Sequence, residues 1–126
     1  MSAIEWIDLP EVLAIHARQI DEHGGAPGLR DLALLESALA RPRQRHAYGE
    51  ANLFDLAAAY AAAIIGNHPF VDGNKRTGFV VGILFLELNG STFAASEADA
   101  TQAVFALAAG ELTEEEFALW LREACR

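Results

Sequence analysis

The chain has 126 residues, of which 52% are hydrophobic and 21% are charged, a usage typical of one globular domain. Its 18 acids against nine lysines and arginines give a formal net charge of -9, which would repel a nucleic-acid backbone, so we expect no direct nucleic-acid binding. The composition therefore predicts a single domain over residues 1–126. Any phosphate would have to bind at a small cluster of cationic residues and not over a broad surface.

Helix signals run through the whole sequence. Asp8 followed by Glu11 has the form of a capping box, and prolines and glycines mark the later breaks. Six helices are predicted: from the Asp8 cap to about Gly24–Gly25, then over about 30–40, 52–67, 74–89, 97–109 and 114–124.

The first two helices are predicted to bury one apolar face each. The inward residues are Val12, Leu13, His16 and Ile20 in the first helix, and Leu32, Leu35 and Leu39 in the second. Proline interrupts a helix because it lacks the amide hydrogen and its ring clashes with the preceding turn. We therefore expect Pro42 to force the chain into a loop that reaches about residue 52.

The middle of the sequence supplies the core. The segment 52–67 is rich in alanine, whose small side chains permit close helix packing, and residues 79–86 are apolar on every face. The helix 74–89 is therefore predicted to be central. Short strands are also compatible with residues 4–7 and 91–93, but the predicted fold class is all-α, a compact bundle of about six helices around a central apolar helix.

The start of the chain and its cysteine content indicate a location. Met1–Glu5 lacks the basic start and apolar run of a signal peptide, and no apolar run reaches the roughly 18 residues of a bilayer-spanning helix. Cys125 is the only cysteine, so no internal disulfide is possible. We expect a cytoplasmic protein that does not contact a membrane.

The segment 68–78, His-Pro-Phe-Val-Asp-Gly-Asn-Lys-Arg-Thr-Gly, concentrates reactive side chains just before the apolar helix. Gly73 permits a tight turn, and the free amides that open the next helix form an anion site. Lys75 and Arg76 would be unfavourable at the positive end of that helix unless an anion lay between them. The pattern therefore predicts phosphate binding.

Two further residues of this segment suit chemistry at a bound phosphate. Asp72 is its only acid, and a carboxylate beside phosphate groups is a usual way to hold Mg²⁺. His68, four residues earlier, can take a proton from an attacking hydroxyl, since histidine exchanges protons near neutral pH. These residues favour phosphoryl or nucleotidyl transfer.

The same segment resembles the Fic/Doc family. The residues that match its signature, His-x-Phe-x-Asp/Glu-Gly-Asn-x-Arg, are His68, Phe70, Asp72, Gly73, Asn74 and Arg76. The likeness extends over about residues 10–92 and includes 23–31, 34–42 and 84–90, which are similar to Doc-type toxins. It implies one Fic/Doc domain.

The resemblance also implies an activity and roles for residues. The Asn-Lys-Arg form resembles Doc, so the implied reaction is transfer of the γ-phosphate of ATP to a threonine of elongation factor Tu, which blocks translation. By position, His68 would be the base, Asp72 the Mg²⁺ ligand and Phe70 the hydrophobic anchor of the loop. The implied phosphate-binding residues are Gly73, Asn74, Lys75 and Arg76.

The resemblance further implies a partner. Fic proteins are commonly inhibited by a glutamate in a Ser/Thr-x-x-x-Glu motif, and no serine or threonine here has glutamate four residues later. The inhibitory element would then come from the C-terminal segment of a Phd-type antitoxin, as in the Doc group.

Other interpretations stay open. Fic enzymes that transfer AMP carry glycine and a second arginine where this chain has Lys75 and Phe79, which disfavours AMP transfer without removing it; a catalytically silent module that binds a partner is the third hypothesis. Arg41, Arg43 and Arg45 are interpreted as a solvated loop, with a target-aligning flap as the alternative. His16 and His23 are interpreted as helix packing and a neighbour of the helix end, not as metal ligands.

Overall fold

The structure is a computed structural model, and it describes residues 3–126. Met1 and Ser2, on which part of the expectation about the start of the chain rests, lie outside this range. The six helices are α1 (Leu9–His23), α2 (Leu32–Ala47), α3 (Leu53–Asn67), α4 (Asn74–Leu88), α5 (Glu97–Ala108) and α6 (Glu114–Ala124). No strand occurs in the described range, and the all-α prediction is confirmed.

The two short strands considered at the sequence level do not form. Residues 4–7 are irregular, and Phe93 makes only an isolated antiparallel bridge with Cys125. A second isolated bridge, between Leu29 and Phe70, joins the loop before α2 to the loop before α4. A single bridged pair cannot build a sheet, because sheet stability comes from several cross-strand pairs.

The centre of the bundle is α3. Its residues Leu56, Ala57, Ala58, Ala59, Tyr60 and Ala61 are all 0% exposed. The helix packs against α2, α4, α5 and α6, whereas α4 ends with Leu88 50% exposed. The prediction that α4 is the central helix is therefore wrong; alanine lets neighbours approach α3 from every side.

The contact between α3 and α4 depends on small residues on both helices. A Cβ at Gly82 would lie 3.1 Å from the carbonyl oxygen of Ala57, and one at Gly78 would lie 3.0 Å from Ile65 Cγ1. Both distances are shorter than ordinary packing contacts, so any larger residue would push the helices apart. This close packing fixes the start of α4 against the end of α3.

The second helix is longer than predicted, because Pro42 lies inside it. A proline in a helix interior costs about 3 kcal/mol. Here its ring is buried, and each neighbouring arginine pairs with an acid of another segment. The pairs are Arg41 with Glu114 at 2.6 Å, Arg43 with Asp8 at 2.7 Å and Arg45 with Asp55 at 4.0 Å. Burial and these tertiary contacts keep the segment helical, so the interpretation of residues 41–47 as a solvated loop is wrong.

The beginnings of α1 and α2 also differ in detail from the predictions. Asp8 precedes α1 with extended backbone, but its side chain binds Arg43 and makes no capping bond. Leu32 opens α2 and is 46% exposed, and Leu13 is 39% exposed, so neither is a core residue. Asp31 caps α2 by accepting from the Leu34 amide at 3.0 Å.

Within residues 3–126, no helix combines the length and the apolar character that crossing a bilayer requires.

Candidate active site

The predicted reactive segment forms the turn between α3 and α4. His68 ends α3 in the left-handed conformation, with φ 52° and ψ 52°, and it is the only non-glycine residue with positive φ in the described range. Right-handed helical backbone is disfavoured before a proline, so Pro69 ends the helix at this point. Gly73, at φ 78°, then redirects the chain into α4. Both ends of the turn are thus set by local sequence.

The inside of the turn is closed by Asn74 and Phe70. Asn74 is 4% exposed; its Oδ1 accepts from the Phe70 amide and its Nδ2 donates to the Phe70 carbonyl, both at 2.9 Å. Phe70 itself is 1% exposed. Because both polar atoms of the Asn74 side chain are used in this way, a phosphate would meet Asn74 through its main-chain amide.

His16 of α1 supports the turn from below. Its ring is 5% exposed and stacks on Phe70, with centroids 3.7 Å apart and planes 7° apart. Its Nε2 lies 2.8 Å from the Asp72 carbonyl oxygen, which can only accept, so Nε2 carries the hydrogen. The sequence led us to interpret His16 as a packing residue. Its hydrogen bond to Asp72 was missed, because no local sequence pattern pairs residues 56 positions apart.

Arg30 braces the turn from outside. Its Nε donates to the His68 carbonyl at 2.7 Å and its Nη2 donates to the Asn67 carbonyl at 3.0 Å. Main-chain hydrogen bonds join the same two segments: the Arg30 amide donates to Pro69 O at 2.7 Å and the Val71 amide donates to Gly28 O at 3.1 Å. Sequence reasoning gave Arg30 no role beyond the helix start.

Asp72 points its carboxylate at main-chain amides. Oδ2 accepts from Ala26 at 3.2 Å and Oδ1 accepts from Gly73 at 2.8 Å. These two bonds, followed by the smaller influence of the Arg76 charge, hold the pKa of Asp72 below its ordinary value of 3.8. The side chain is exposed and ionised at neutral pH.

The residues present fit a shared Mg²⁺ site rather than a protein-only one. No group of three histidine, cysteine or acidic side chains that could hold a metal exists in the part of the chain that the structure describes. Mg²⁺ in nucleotide sites is commonly bound by one or two carboxylates together with substrate phosphates and water. Asp72, exposed and ionised beside the start of α4, can supply such a carboxylate.

The start of α4 has no side-chain cap. In contrast, α2, α3, α5 and α6 each begin with a side-chain oxygen that accepts from a first-turn amide. The first-turn amides of α4, those of Asn74, Lys75 and Arg76, meet no acceptor among residues 3–126. Four unpaired donors are normal at a helix start, and with the helix dipole they attract anions.

Two cations flank these amides. Lys75 and Arg76 are exposed and form no ion pair within residues 3–126. Lys75 Nζ lies 5.7 Å from the centre of the Phe105 ring, and both residues line the same pocket. The structure therefore presents positive charge where the helix dipole is already positive.

One pocket of about 800 Å³ collects these groups. Six of the seven predicted site residues line it: His68, Asp72, Gly73, Asn74, Lys75 and Arg76. Phe70 lies beneath, in the core. Gln19 and His23 of α1 line one side, and a mainly apolar wall from α4, α5 and the loop between them, which also includes Glu97 and Thr101, lines the other. His23 was interpreted only as a neighbour of the helix end, so its place in the pocket was missed.

Comparison with known proteins agrees with this geometry. The model of the Fic/DOC family matches residues 6–86. The protein named "Protein kinase doc" of Escherichia phage P1 is 40% identical over 81 residues, which are 64% of this chain and 64% of that protein. "Toxin Doc" of Mycolicibacterium smegmatis is 39% identical over 94 residues, 72% of this chain and 69% of that protein. The chain thus spans about two thirds of the length of these relatives, both of Doc type, and it belongs to the Fic/DOC family.

Proposed function

We propose that this protein is a Doc-type toxin that transfers the γ-phosphate of ATP to a side-chain hydroxyl of another protein. The observation that carries the proposal is the start of α4, where uncapped amides and two cations without an ion pair among residues 3–126 face one pocket with His68 and Asp72. The name of the phage relative, a protein kinase, supports the same reaction.

Binding of the polyphosphate would rest on α4. The amides of Asn74, Lys75 and Arg76 would donate to phosphate oxygens, and the Lys75 and Arg76 side chains would neutralise the charge. Phosphoryl transfer leaves little covalent work for the protein, so positioning and charge neutralisation supply most of the catalysis. A domain of this size can provide both.

His68 would act as the general base. It lines the pocket and is exposed to an incoming hydroxyl. It would accept the hydroxyl proton as the hydroxyl oxygen bonds to the γ-phosphorus and the bond from that phosphorus to the bridging oxygen breaks, which releases ADP. Asp72 would hold Mg²⁺, which supplies neutralisation of phosphate charge when bound. Phe70 and Asn74 would keep the turn in the shape that brings these two residues together.

The choice between phosphate and AMP transfer rests on Lys75 and Phe79. AMP-transferring Fic enzymes have an arginine where this chain has Phe79. Here that residue is partly buried and packs edge-on against Phe93, with ring centres 5.6 Å apart, so an apolar ring stands at this position of the pocket in place of a cation. We therefore place AMP transfer second and a silent partner-binding module third.

The names of the relatives support part of a biological setting for this activity. The name "Toxin Doc" supports a toxin that pairs with an antitoxin. We propose a threonine of elongation factor Tu as the phosphorylated residue and a Phd-type antitoxin whose C-terminal segment supplies the inhibitory element. A cytoplasmic location and a single domain over residues 1–126 belong to the same proposal.

Labelled ATP separates the three hypotheses. The purified protein would be incubated with elongation factor Tu, Mg²⁺ and ATP labelled at either the γ- or the α-phosphate. Label transferred only from the γ position supports the kinase, and label from the α position supports AMP transfer. No transfer from either, to elongation factor Tu or to the proteins of a bacterial lysate, leaves the silent module.

Replacing His68 tests its proposed role. His68→Asn is the better variant, because asparagine tolerates the left-handed backbone that alanine resists. We expect the transfer rate to fall by about 10²- to 10⁴-fold, the usual contribution of a general base, with an unchanged melting temperature. A rate within threefold of the wild type would remove His68 from the mechanism.

A further inference from the structure

Arg30 lies outside the family signature, yet its guanidinium group reaches the end of α3. Nε donates to the carbonyl of His68 at 2.7 Å, and Nη2 donates to the carbonyl of Asn67 at 3.0 Å. These oxygens end a helix and carry the negative end of its dipole, so a cationic donor is favoured there. The planar fork of arginine suits two neighbouring acceptors better than a single ammonium group does.

The residue held in this way has an unusual backbone. His68 is left-handed, at φ 52° and ψ 52°, a conformation that costs about 1–2 kcal/mol for most non-glycine residues. Its ψ angle sets the direction of its carbonyl, and its φ angle sets the direction of its side chain relative to α3. A bond that fixes the carbonyl therefore limits rotation of the His68 backbone, and with it the position of the Cβ atom from which the imidazole extends.

We propose that Arg30 is a positioning residue for His68. By holding the two carbonyls that end α3, it keeps the left-handed turn closed and aims the imidazole into the pocket. This inference rests on the proposed function, because the role of His68 as base belongs to that proposal. Arg30 itself does not line the pocket, so it acts through His68 and not on the nucleotide.

Other contacts hold the same turn but act on different atoms. The Arg30 amide and the Asp31 amide both donate to Pro69 O, at 2.7 and 3.0 Å, and Asn67 Nδ2 donates to Leu34 O at 2.9 Å. These bonds would survive a change of the Arg30 side chain, because two of them use main-chain atoms and the third uses Asn67. A variant of Arg30 should therefore fold while leaving the His68 carbonyl free to rotate.

The test compares Arg30→Met and Arg30→Lys with Arg18→Met. Arg18 is an exposed arginine of α1 whose only ion pair within residues 3–126, with Glu22, lies on the same helix, so it is a matched control. We expect Arg30→Met to lower kcat about 10- to 100-fold while the KM for ATP stays within about twofold. Arg30→Lys should recover part of the loss, since lysine restores a donor without the fork, and Arg18→Met should match the wild type.

Chemical rescue tests whether the loss of the guanidinium group itself, and not general damage to the fold, lowers kcat. Arg30→Ala would be assayed with added methylguanidinium at concentrations that do not change its melting temperature. We expect kcat to rise several-fold, because the small cation can donate hydrogen bonds to the carbonyls of Asn67 and His68 in place of the missing guanidinium group. A wild-type kcat in Arg30→Met, or a loss of activity that follows lower thermal stability or weaker binding of a non-hydrolysable ATP analogue, would overturn the inference.

A measurement without activity separates this inference from the proposed function. In isotope-labelled protein, the three-bond coupling between the His68 Hα hydrogen and the Pro69 nitrogen reports the His68 ψ angle, which sets the direction of the carbonyl that Arg30 holds. We expect the coupling to change in Arg30→Met and to stay fixed in Arg18→Met. If the wild type transfers no phosphate, the proposed function fails, and an unchanged coupling in Arg30→Met would separately refute the role of Arg30.

Discussion

Two asparagines open neighbouring helices in opposite ways. Asn52 precedes α3, and its side chain accepts from the Asp55 amide at 2.8 Å while Asp55 accepts from the Asn52 amide at 3.0 Å. Asn74 opens α4, but its side chain turns back to the main chain of Phe70. The first arrangement uses the free amides of its helix, whereas the second leaves them open.

The difference separates a helix start built for folding from one built for a ligand. The capped start of α3 carries an acid, Asp55, that suits the helix dipole, and α6 begins with three acids. The open start of α4 carries Lys75 and Arg76, which oppose the dipole. Among the helices of residues 3–126, α1 also lacks a side-chain cap but carries Glu11 in its first turn, whereas α4 alone combines an uncapped start with basic first-turn residues. A stability cost of this kind beside His68 is expected where an external anion completes the structure.

Of the variants that test this difference between the two helix starts, Asn74→Ala should have the largest effect on stability and activity. It leaves the buried main-chain groups of Phe70 without partners, and we expect the free energy of unfolding to fall by about 1–3 kcal/mol. The turn would loosen as well, lowering phosphate transfer by about 100-fold or more. Chemical denaturation and the labelled-ATP assay measure the two effects.

Asn52→Ala is the control at the other helix. It removes half of a capping box, so we expect a loss of about 1 kcal/mol in unfolding free energy with the transfer rate unchanged. If Asn52→Ala reduced transfer as much as Asn74→Ala at matched stability, the division between a folding start and a ligand start would be wrong.

Local signals explain how much of the fold could be predicted. The ends of α1, α3, α4, α5 and α6 lie within one or two residues of the predicted ends, because caps, glycines and prolines act on their neighbours. The error at Pro42 has a different origin. Its ring is buried and the flanking arginines bind acids of other segments, which no local pattern encodes. The same limit hid the central position of α3.

In the site, too, local features could be predicted and contacts between distant segments could not. The residues of 68–76 could be grouped in advance because they are consecutive and share one turn. Arg30 and His16 could not, since their partners lie 38 and 56 positions away. The orientation of the Asn74 side chain was also beyond the sequence, because either a forward cap or a backward bond fits an asparagine at a helix start.

Lys75→Glu sharpens the comparison by giving α4 an acidic first turn. We expect ATP to bind about 10- to 100-fold more weakly, since one charged contact with phosphate becomes repulsive. The unfolding free energy should change by less than about 1 kcal/mol, because the gain at the dipole offsets the lost contact with Phe105. Calorimetric titration with a non-hydrolysable ATP analogue measures the first quantity.

Glu115→Lys is the matched reversal. Glu115 occupies the same second position of α6 that Lys75 occupies in α4, and both side chains are exposed. We expect Glu115→Lys to lower the unfolding free energy by about 0.3–1 kcal/mol without changing ATP affinity. Equal weakening of ATP binding by both variants would mean that net charge, and not the start of α4, attracts the nucleotide.

The smallest effect concerns Asp72 and pH. Its pKa is lowered in the folded protein, first by the Ala26 amide and then by the Gly73 amide, so folding favours the ionised form. This contribution is complete above the ordinary pKa of 3.8 and is lost as pH falls through the lower folded value. Melting temperatures of the wild type and Asp72→Asn, compared from about pH 7 to about pH 2, should differ most near neutrality and converge in acid. A difference that stayed constant over this range would show that the two amides recognise the shape of the side chain and not its charge.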